Sequence, residues 1–266
     1  MERLMVVMLE AAGCAAEVLL NGMPVAALGA DGGRACMAVH EYTLAGRNRM
    51  VLAIHPAAAG VPVTPQPRIA IGATWARATL LLPRMGRVVN DPSTRVLGAV
   101  EWAVAEGTSF DVPAVHARDF DLPVNFPRWR WLDAPVIELT EPVRRQILGF
   151  VQKLAVEMAL GNAEPLLQAT RLRFDELALA YQTSAEAAIR RFRDDLQQRF
   201  AAGALKIVPP TAQDLVLRPL VDGRLVACLA AKGGPALHTQ NGDPALGEQA
   251  WPLRLAMVEG NIYVLR

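Results

Sequence analysis

The sequence predicts an α+β protein: an antiparallel β-sandwich followed by a domain built from helices and a sheet. Three observations lead to this prediction. Short apolar runs separated by turn residues fill residues 1–139, helical periodicity takes over at 140–203, and apolar runs with tight turns return at 205–266. Short strands at such spacing are typical of sandwiches, and apolar residues three or four positions apart indicate helices.

The first half is predicted to consist of strands joined by tight turns. Residues 3–9 form the first apolar run, and Asn21-Gly22 is a strong hairpin signal because apolar residues flank it on both sides. Aspartate and glycine at 31–33 predict another turn, and the prolines found between 56 and 67 exclude a central strand there. Further strands are predicted at 35–42, 49–55, 68–82 and 95–105.

The second half is predicted to begin with three helices. Thr140 is a suitable cap for the first, which ends at Gly161-Asn162. The second begins near Pro165, and the third follows a cap at Ser184. Strands are then predicted at 215–220, 224–231, 251–258 and 261–265, joined in pairs by turns at 221–223 and 259–260.

This order divides the chain into a β-sandwich domain at 1–118, a linker at 119–140 and an α+β domain at 141–266. The linker contains the sequence DFDLPVNFPRWRWLDAP, which is rich in proline and aromatic residues. It has neither a helical nor a strand period, so we interpret it as an ordered loop packed on a surface. A chain of 266 residues is long enough for two such compact domains.

Charge and hydropathy exclude two classes of partner. The chain has 27 basic and 26 acidic residues, a net charge of +1, and no basic stripe. A nucleic-acid-binding protein would normally show a basic excess, because phosphate contacts supply most of its affinity. No apolar run approaches the ~18 residues of a membrane span. We therefore predict neither a nucleic-acid partner nor a membrane partner.

The start of the chain, MERLMVVMLEAAGC, loosely resembles a lipoprotein signal that ends at Cys14. However, the apolar run at 4–9 is shorter than the ~7–15 residues of a signal core, so a first β-strand is preferred. Cys14, Cys36 and Cys228 are odd in number and form no CxxC, which indicates neither disulfides nor zinc. We predict a reduced protein of the cytoplasm.

No motif fixes a reaction, a cofactor or a metal. The four histidines show no HxH or HExxH spacing, and no serine lies in GxSxG. The glycine-rich stretch at 29–33 lacks the spacing of a phosphate loop and leads into a strand. We therefore predict no catalytic residues, no metal ligands and no cofactor.

Two groups of residues remain as candidates, and the first is acidic. His116, Asp119 and Asp121 could form an acid–base or calcium-binding cluster, because Asp119 and Asp121 would face the same way in an extended chain. The alternative is that they are solvated turn residues beside prolines.

The second candidate is the aromatic run, in which Trp129 and Trp131 alternate with Arg128 and Arg130 after Phe126. Tryptophan and arginine are enriched in the hot spots of binding surfaces, and indole faces also stack on sugars. The alternative is that Trp129 and Trp131 hold the two halves of the chain together.

The second half resembles the NTF2-like superfamily over residues 142–266, where helices precede an antiparallel meander that ends in VEGNIYVLR. The resemblance implies a cone in which helices pack against a curved sheet, and acids, histidines and tyrosines line this cone in the enzymes of the superfamily. No catalytic pattern matches here, because His238 is the sole histidine of this half and Asp222 is a turn residue.

The first half is similar to the β-sandwich accessory modules of sugar-processing enzymes. The segments that carry this similarity are VLLNGMPV and VHEYTLAGRNRMVLAI, which match the strand, Asn-Gly turn and closing strand of those modules. The resemblance implies a structural role, although fold alone never fixes function.

The leading prediction for function is non-enzymatic binding of another protein, by analogy with bacterial immunity proteins and secretion adaptors. The chain could also form a homodimer. One alternative is a small-molecule isomerase, cyclase or hydratase that uses a cone pocket. Another is a carbohydrate-binding module. Convergent titratable groups in a pocket would favour the enzyme, a filled cone the protein-binding function, and an open aromatic face the sugar.

Overall fold

The structure is a computed structural model that describes residues 4–56, 64–84, 89, 91–240 and 248–266. It confirms the predicted α+β class. The chain forms two compact units, one up to Arg128 and one from Trp129 onward. The predicted linker at 119–140 thus contributes residues to both.

The first unit is built from strands that form two four-stranded antiparallel sheets, in the orders β4-β1-β7-β8 and β10-β5-β2-β3, and a small ladder of β6 with β9. Apolar residues at alternate positions of β1, such as Val7, Leu9 and Ala11, are buried in one core with residues of the second sheet, which makes this unit a sandwich. The strands are β1 Val6–Ala12, β2 Ala16–Leu20, β3 Met23–Leu28, β4 Gly33–Ala38, β5 Gly46–Ile54, β6 Gln66–Ile69, β7 Thr74–Leu82, β8 Arg95–Val104, β9 Ser109–Val112 and β10 Ala114–Leu122.

The hairpin predicted at Asn21-Gly22 is confirmed and joins β2 to β3. Both residues have positive φ, 53° and 80°, as a two-residue hairpin turn requires. The strand predicted at 68–82 is wrong in one respect, because Gly72 has a φ of 69° and separates β6 from β7. Most of the predicted proline-rich break at 56–67 lies outside the described residues.

Two other predictions for this unit need correction. The strand predicted at 35–42 ends at Ala38, and His40–Tyr42 forms a short 3-10 helix instead. The predicted linker begins inside β10, which continues to Leu122. The prediction missed β10 because the strand lies at the edge of its sheet, where most of its side chains are exposed and the apolar alternation is lost.

The second unit contains three helices, α1 Glu141–Ala159, α2 Glu164–Tyr181 and α3 Ala185–Ala201. The predicted cap at Ser184 is confirmed, because its hydroxyl accepts a hydrogen bond from the Ala187 N–H at 3.1 Å. Thr140 occupies the first cap position but forms no such bond with its side chain.

A four-stranded antiparallel sheet of the order β11-β12-β15-β16 follows the helices, with a short β13–β14 pair beside it. The predicted turns at 221–223 and 259–260 are confirmed, and each joins the two strands of one hairpin, β11 to β12 and β15 to β16. The strands are β11 Leu215–Leu220, β12 Leu225–Ala230, β13 Leu237–His238, β14 Ala250–Trp251, β15 Leu253–Val258 and β16 Asn261–Val264.

Helices α1 and α2 and the sheet share one apolar core. Ile147, Val151 and Leu154 of α1 are buried in the same cluster as Val226 and Leu255 of the sheet. In the described part of the chain, no helix is both long and apolar enough to cross a membrane.

Candidate functional site

The most distinctive surface of the first unit is the seam where its two sheets meet at β8 and β10. Each strand is the last of its sheet, and no backbone ladder joins them. Side chains fill part of the gap instead. The ring of Phe120 lies so close to Gly98 that a Cβ there would be 3.2 Å from it, and the rings of Trp102 and His116 are 6.3 Å apart. We call residues 98–103 and 115–121 the β8–β10 seam.

On the β8 side, the seam presents backbone groups that pair with no strand. The carbonyl oxygen of Ala99 accepts a hydrogen bond from Arg118 Nη1 at 3.1 Å, so it faces β10 and not β7. In an antiparallel ladder the N–H and C=O of one residue point the same way, and the direction alternates along the strand. Glu101 and Ala103 therefore also turn their backbone groups away from β7.

The β10 side presents a second row. The Asn21 N–H donates to the Arg49 carbonyl at 2.8 Å, so Arg49 faces β2. Alternation then turns Met50 toward β10, where it pairs with Arg118. The residues of β10 whose backbone groups point away from β5 are therefore Val115, Ala117, Asp119 and Asp121.

A cleft of about 670 Å³ lies between the two rows and is lined by residues 99–101 and 115–118. Val115 at its edge is 64% exposed although it is apolar. Nε2 of His116 is buried and forms no hydrogen bond with any residue that the structure describes. A buried polar atom without a hydrogen bond costs free energy. A ligand group that forms a hydrogen bond with this nitrogen would therefore stabilise the complex.

Charges on the outer face of the seam are paired within the first unit. Asp119 accepts a hydrogen bond from Arg47 at 2.6 Å and lies 3.7 Å from Arg49. The hydrogen bond from Arg47 lowers the pKa of Asp119 below its ordinary value. Glu101 of β8 pairs with Arg77 at 3.0 Å. The outer face therefore carries both signs of charge in neighbouring pairs.

The predicted cluster of His116, Asp119 and Asp121 does not form. All three lie on β10, but side chains alternate along a strand, so His116 faces the opposite way from the two aspartates. Among the described residues, no three His, Cys, Asp or Glu side chains come together in a way that could hold a metal ion. Asp119 and Asp121 are strand residues and not the turn residues of the alternative interpretation.

The aromatic run is not the exposed binding surface that one of our two interpretations required. Trp129 and Trp131 are both 0% exposed, so neither indole can contact a further partner or a sugar. Arg130–Leu132 form one turn of 3-10 helix inside the segment that we interpreted as an ordered loop. Phe126 is half-buried, with its ring 5.2 Å from His40, while Arg128 is exposed.

A buried ion pair lies beside these tryptophans. One carboxylate oxygen of Glu176 accepts the backbone N–H of Arg130 at 2.7 Å, and the other accepts Arg266 Nη1 at 2.6 Å. The guanidinium of Arg266 lies 5.6 Å from the centroid of the Trp129 ring. The side chains of Glu176 and Arg266 are 6% and 0% exposed. This network therefore holds α2 to the 3-10 turn and to the residue two positions after β16.

Most of the space between helix α1 and the sheet of the second unit is filled, but a pocket of about 280 Å³ remains between α1 and β11. It is lined by Glu141, Arg144, Arg145, Leu148, Ala212, Leu215 and Leu217. Apolar side chains of the helix and the sheet form the core of the unit, including Ile147, Leu154, Val226 and Val264. An enzyme of the predicted cone type needs a pocket in which titratable groups converge. The charged residues of this pocket are all exposed, and the core beneath it is apolar.

Two of the three thiols are unsuited to covalent chemistry. Burial raises the pKa of the Cys228 thiol to about 12 and also raises the pKa of the Cys14 thiol, and the thiolate is the nucleophile. Cys36 is exposed on β4.

We therefore expect N-ethylmaleimide at neutral pH to add one adduct to the native protein and three in denaturant. Intact mass spectrometry measures this directly. The Cys36→Ser variant is the control and should gain none in the native state. Labelling of Cys228 at the rate of Cys36 would contradict the burial of the former.

In comparisons with known proteins, no family model, no curated protein and no solved structure matches this chain. The resemblances of the second half to the NTF2-like superfamily and of the first half to accessory sandwich modules therefore stay predictions. The fold defines an α+β protein with an N-terminal pair of antiparallel sheets.

Sequence reasoning missed the seam. The run Ala114–Leu122 contains only two β-favouring residues in its interior, Val115 and Phe120, among charged and polar residues. We assigned its second half, from Asp119 onward, to a loop. A signal was present nevertheless, since nine residues without an internal proline lie between Pro113 and Pro123. Uninterrupted runs of this kind are compatible with an edge strand even when apolar alternation is absent.

Proposed function

We propose that this protein acts by binding another protein and that the first unit takes up an extended segment of that partner as an additional strand along β10. The observation that supports this proposal best is the row of outward backbone groups on Val115, Ala117 and Asp119. Addition of a strand to an exposed edge is a recurring mode of peptide recognition, in which main-chain hydrogen bonds supply affinity.

The edges at the seam lack two of the usual protections against strand addition, which are shortness and the presence of lysine or proline. Natural proteins keep edge strands short or place lysine and proline in them. Strands β8 and β10 have ten and nine residues, and neither contains lysine or proline. The mean strand has about 5–6 residues. By contrast, the edge strand β3 has six residues and contains Pro24.

Side chains around the cleft add selectivity to the main-chain contacts. Alternate side chains of an added strand would lie beside Val115 and Ala117. Small or apolar residues are favoured at these positions of the partner. His116 Nε2 would gain a hydrogen-bond partner from a group that reaches into the cleft. Near the ion pair of Asp119 and Arg47, charged residues of either sign in the added strand are favoured.

The test is a selection of random peptides displayed on phage, followed by affinity measurement with the full chain. Ala117→Pro removes an outward N–H without removing a bond to β5, so it should lower peptide affinity at least about tenfold, as expected for lost main-chain bonds. Ala117→Ser keeps the N–H and serves as the matched control. Hydrogen exchange should show slower exchange at 115, 117 and 119 in the complex.

Ala103→Pro applies the same change to β8 and should leave peptide affinity unchanged. Loss of affinity in Ala103→Pro with full retention in Ala117→Pro would contradict the assignment to β10. A dimer of the free protein that Ala117→Pro converts to monomers would instead identify the partner as a second copy of the chain.

We further propose that the protein works in the reducing environment of the cytoplasm. The exposed free thiol of Cys36 supports this, because exposed single thiols oxidise or pair in secreted proteins. Intact mass of the protein from its native host should show neither a disulfide nor a lipid, and a chain that begins at a lipidated Cys14 would contradict the proposal.

A further inference from the structure

A second cavity, of about 500 Å³, lies at one end of the first unit's sandwich, where β8 begins and β7 and β10 end. Its volume falls within the range of small-molecule sites, about 300–1,000 Å³. Its wall is mostly apolar and includes Met5, Leu82, Leu97, Leu122 and Phe126. The Phe120 ring, which packs against Gly98, separates this cavity from the cleft of the seam.

His40 forms part of the cavity wall in a fixed orientation. It is buried, and its Nε2 accepts the Met5 N–H at 2.8 Å. A ring nitrogen that accepts a hydrogen bond carries no hydrogen. The ring also contacts Phe126, with centroids 5.2 Å apart and planes at 53°. These contacts hold the two rings together as one wall of the cavity.

The charges at the cavity favour an anion. Arg95 lines it, is exposed, and forms no hydrogen bond or ion pair with any residue within the described ranges. Asp121 also lines it and lies opposite Arg47 of β5 in the register of the two strands. Asp119 chiefly, and Asp121 in addition, raise the pKa of Arg47. The guanidinium of Arg95 is thus the charge for which the described residues supply no partner.

We propose that this cavity binds a small carboxylate with an apolar body. The body would be buried among the leucines and Phe126, since burial of apolar area is favourable, and the carboxylate would pair with Arg95, whose planar fork matches a carboxylate in two parallel hydrogen bonds. The site is independent of strand addition at β10, because it uses the opening at the end of the sandwich and not the outward backbone groups.

The test compares octanoate with octanamide, a neutral analogue of the same length, by calorimetry on the full chain. Octanoate should bind at least about tenfold more tightly than octanamide, as expected for a hydrogen-bonded charge. Arg95→Gln should remove that difference and leave octanamide affinity unchanged. Arg34→Gln, which changes an exposed arginine on β4, is the matched control and should alter neither affinity.

Amide chemical shifts locate the ligand without any variant. Octanoate should shift the amides of 95–97 and 121–126, and shifts scattered over the rest of the first unit would overturn the proposal. Val124→Trp should fill the cavity and weaken the binding of both octanoate and octanamide. Equal affinities for octanoate and octanamide, or an Arg95→Gln variant that binds octanoate as the wild type does, would also overturn it.

Discussion

Replacement of Trp129 and Trp131 by alanine is expected to lower the free energy of unfolding of the second unit by about 3–5 kcal/mol for each ring. Both indoles are 0% exposed, so each substitution removes buried apolar area and leaves a cavity that the surroundings refill only in part. The two rings are neighbours, so the double variant need not show the sum of the single losses.

Urea denaturation followed by circular dichroism measures this effect without using tryptophan fluorescence, which the substitutions would change. Trp102→Ala is the matched control, since Trp102 is only half-buried and should cost less. A Trp129→Ala, Trp131→Ala double variant that unfolds at the wild-type urea concentration would show that the rings are exposed in solution.

Glu176→Ala is expected to destabilise the second unit by about 3–5 kcal/mol, the usual cost of removing one partner of a buried ion pair. The substitution takes away the carboxylate that accepts Arg266 Nη1 at 2.6 Å and the Arg130 N–H at 2.7 Å. The guanidinium of Arg266 stays buried at 0% exposure and loses the charge that compensates it. Urea denaturation of the full chain again gives the magnitude.

The same helix offers a matched control. Glu164 of α2 pairs with Arg193 at 2.8 Å, but both side chains are largely in solvent. Glu164→Ala should therefore cost no more than about 1 kcal/mol, as surface ion pairs usually do. Equal losses for Glu176→Ala and Glu164→Ala would mean that the buried network contributes no more than a surface pair.

The helices and hairpins of this protein could be predicted because their signals are local. The bounds of α3 follow from a cap at Ser184 and apolar residues at helical spacing. The turns at Asn21-Gly22 and Glu259-Gly260 have positive φ at both central residues. Glycine and asparagine adopt this conformation at little cost, and Glu259 adopts it less readily. No distant residue is needed to decide these features.

The candidate site could be predicted only in part. His116, Asp119 and Asp121 were selected from the sequence, but as a cluster of side chains, whereas the structure places them on a strand whose backbone is the distinctive feature. The aromatic run left two interpretations open, exposed indoles that bind a partner or covered indoles that hold the chain together, and both indoles are buried. Neither outcome could be read from residue type, because exposure depends on which elements cover a residue.

The sequence by itself determined the three helices, the hairpin turns and the balance of charge, since these depend on residue types or on residues within one turn or one short run. Only the tertiary structure decided that β8 and β10 are edges, because an edge is defined by the strands that do not pair with it. The tertiary structure also decided that Glu176 and Arg266, which are 90 positions apart, form a buried ion pair. Contacts over such distances are selected by the packing of the whole core, and no local pattern specifies them.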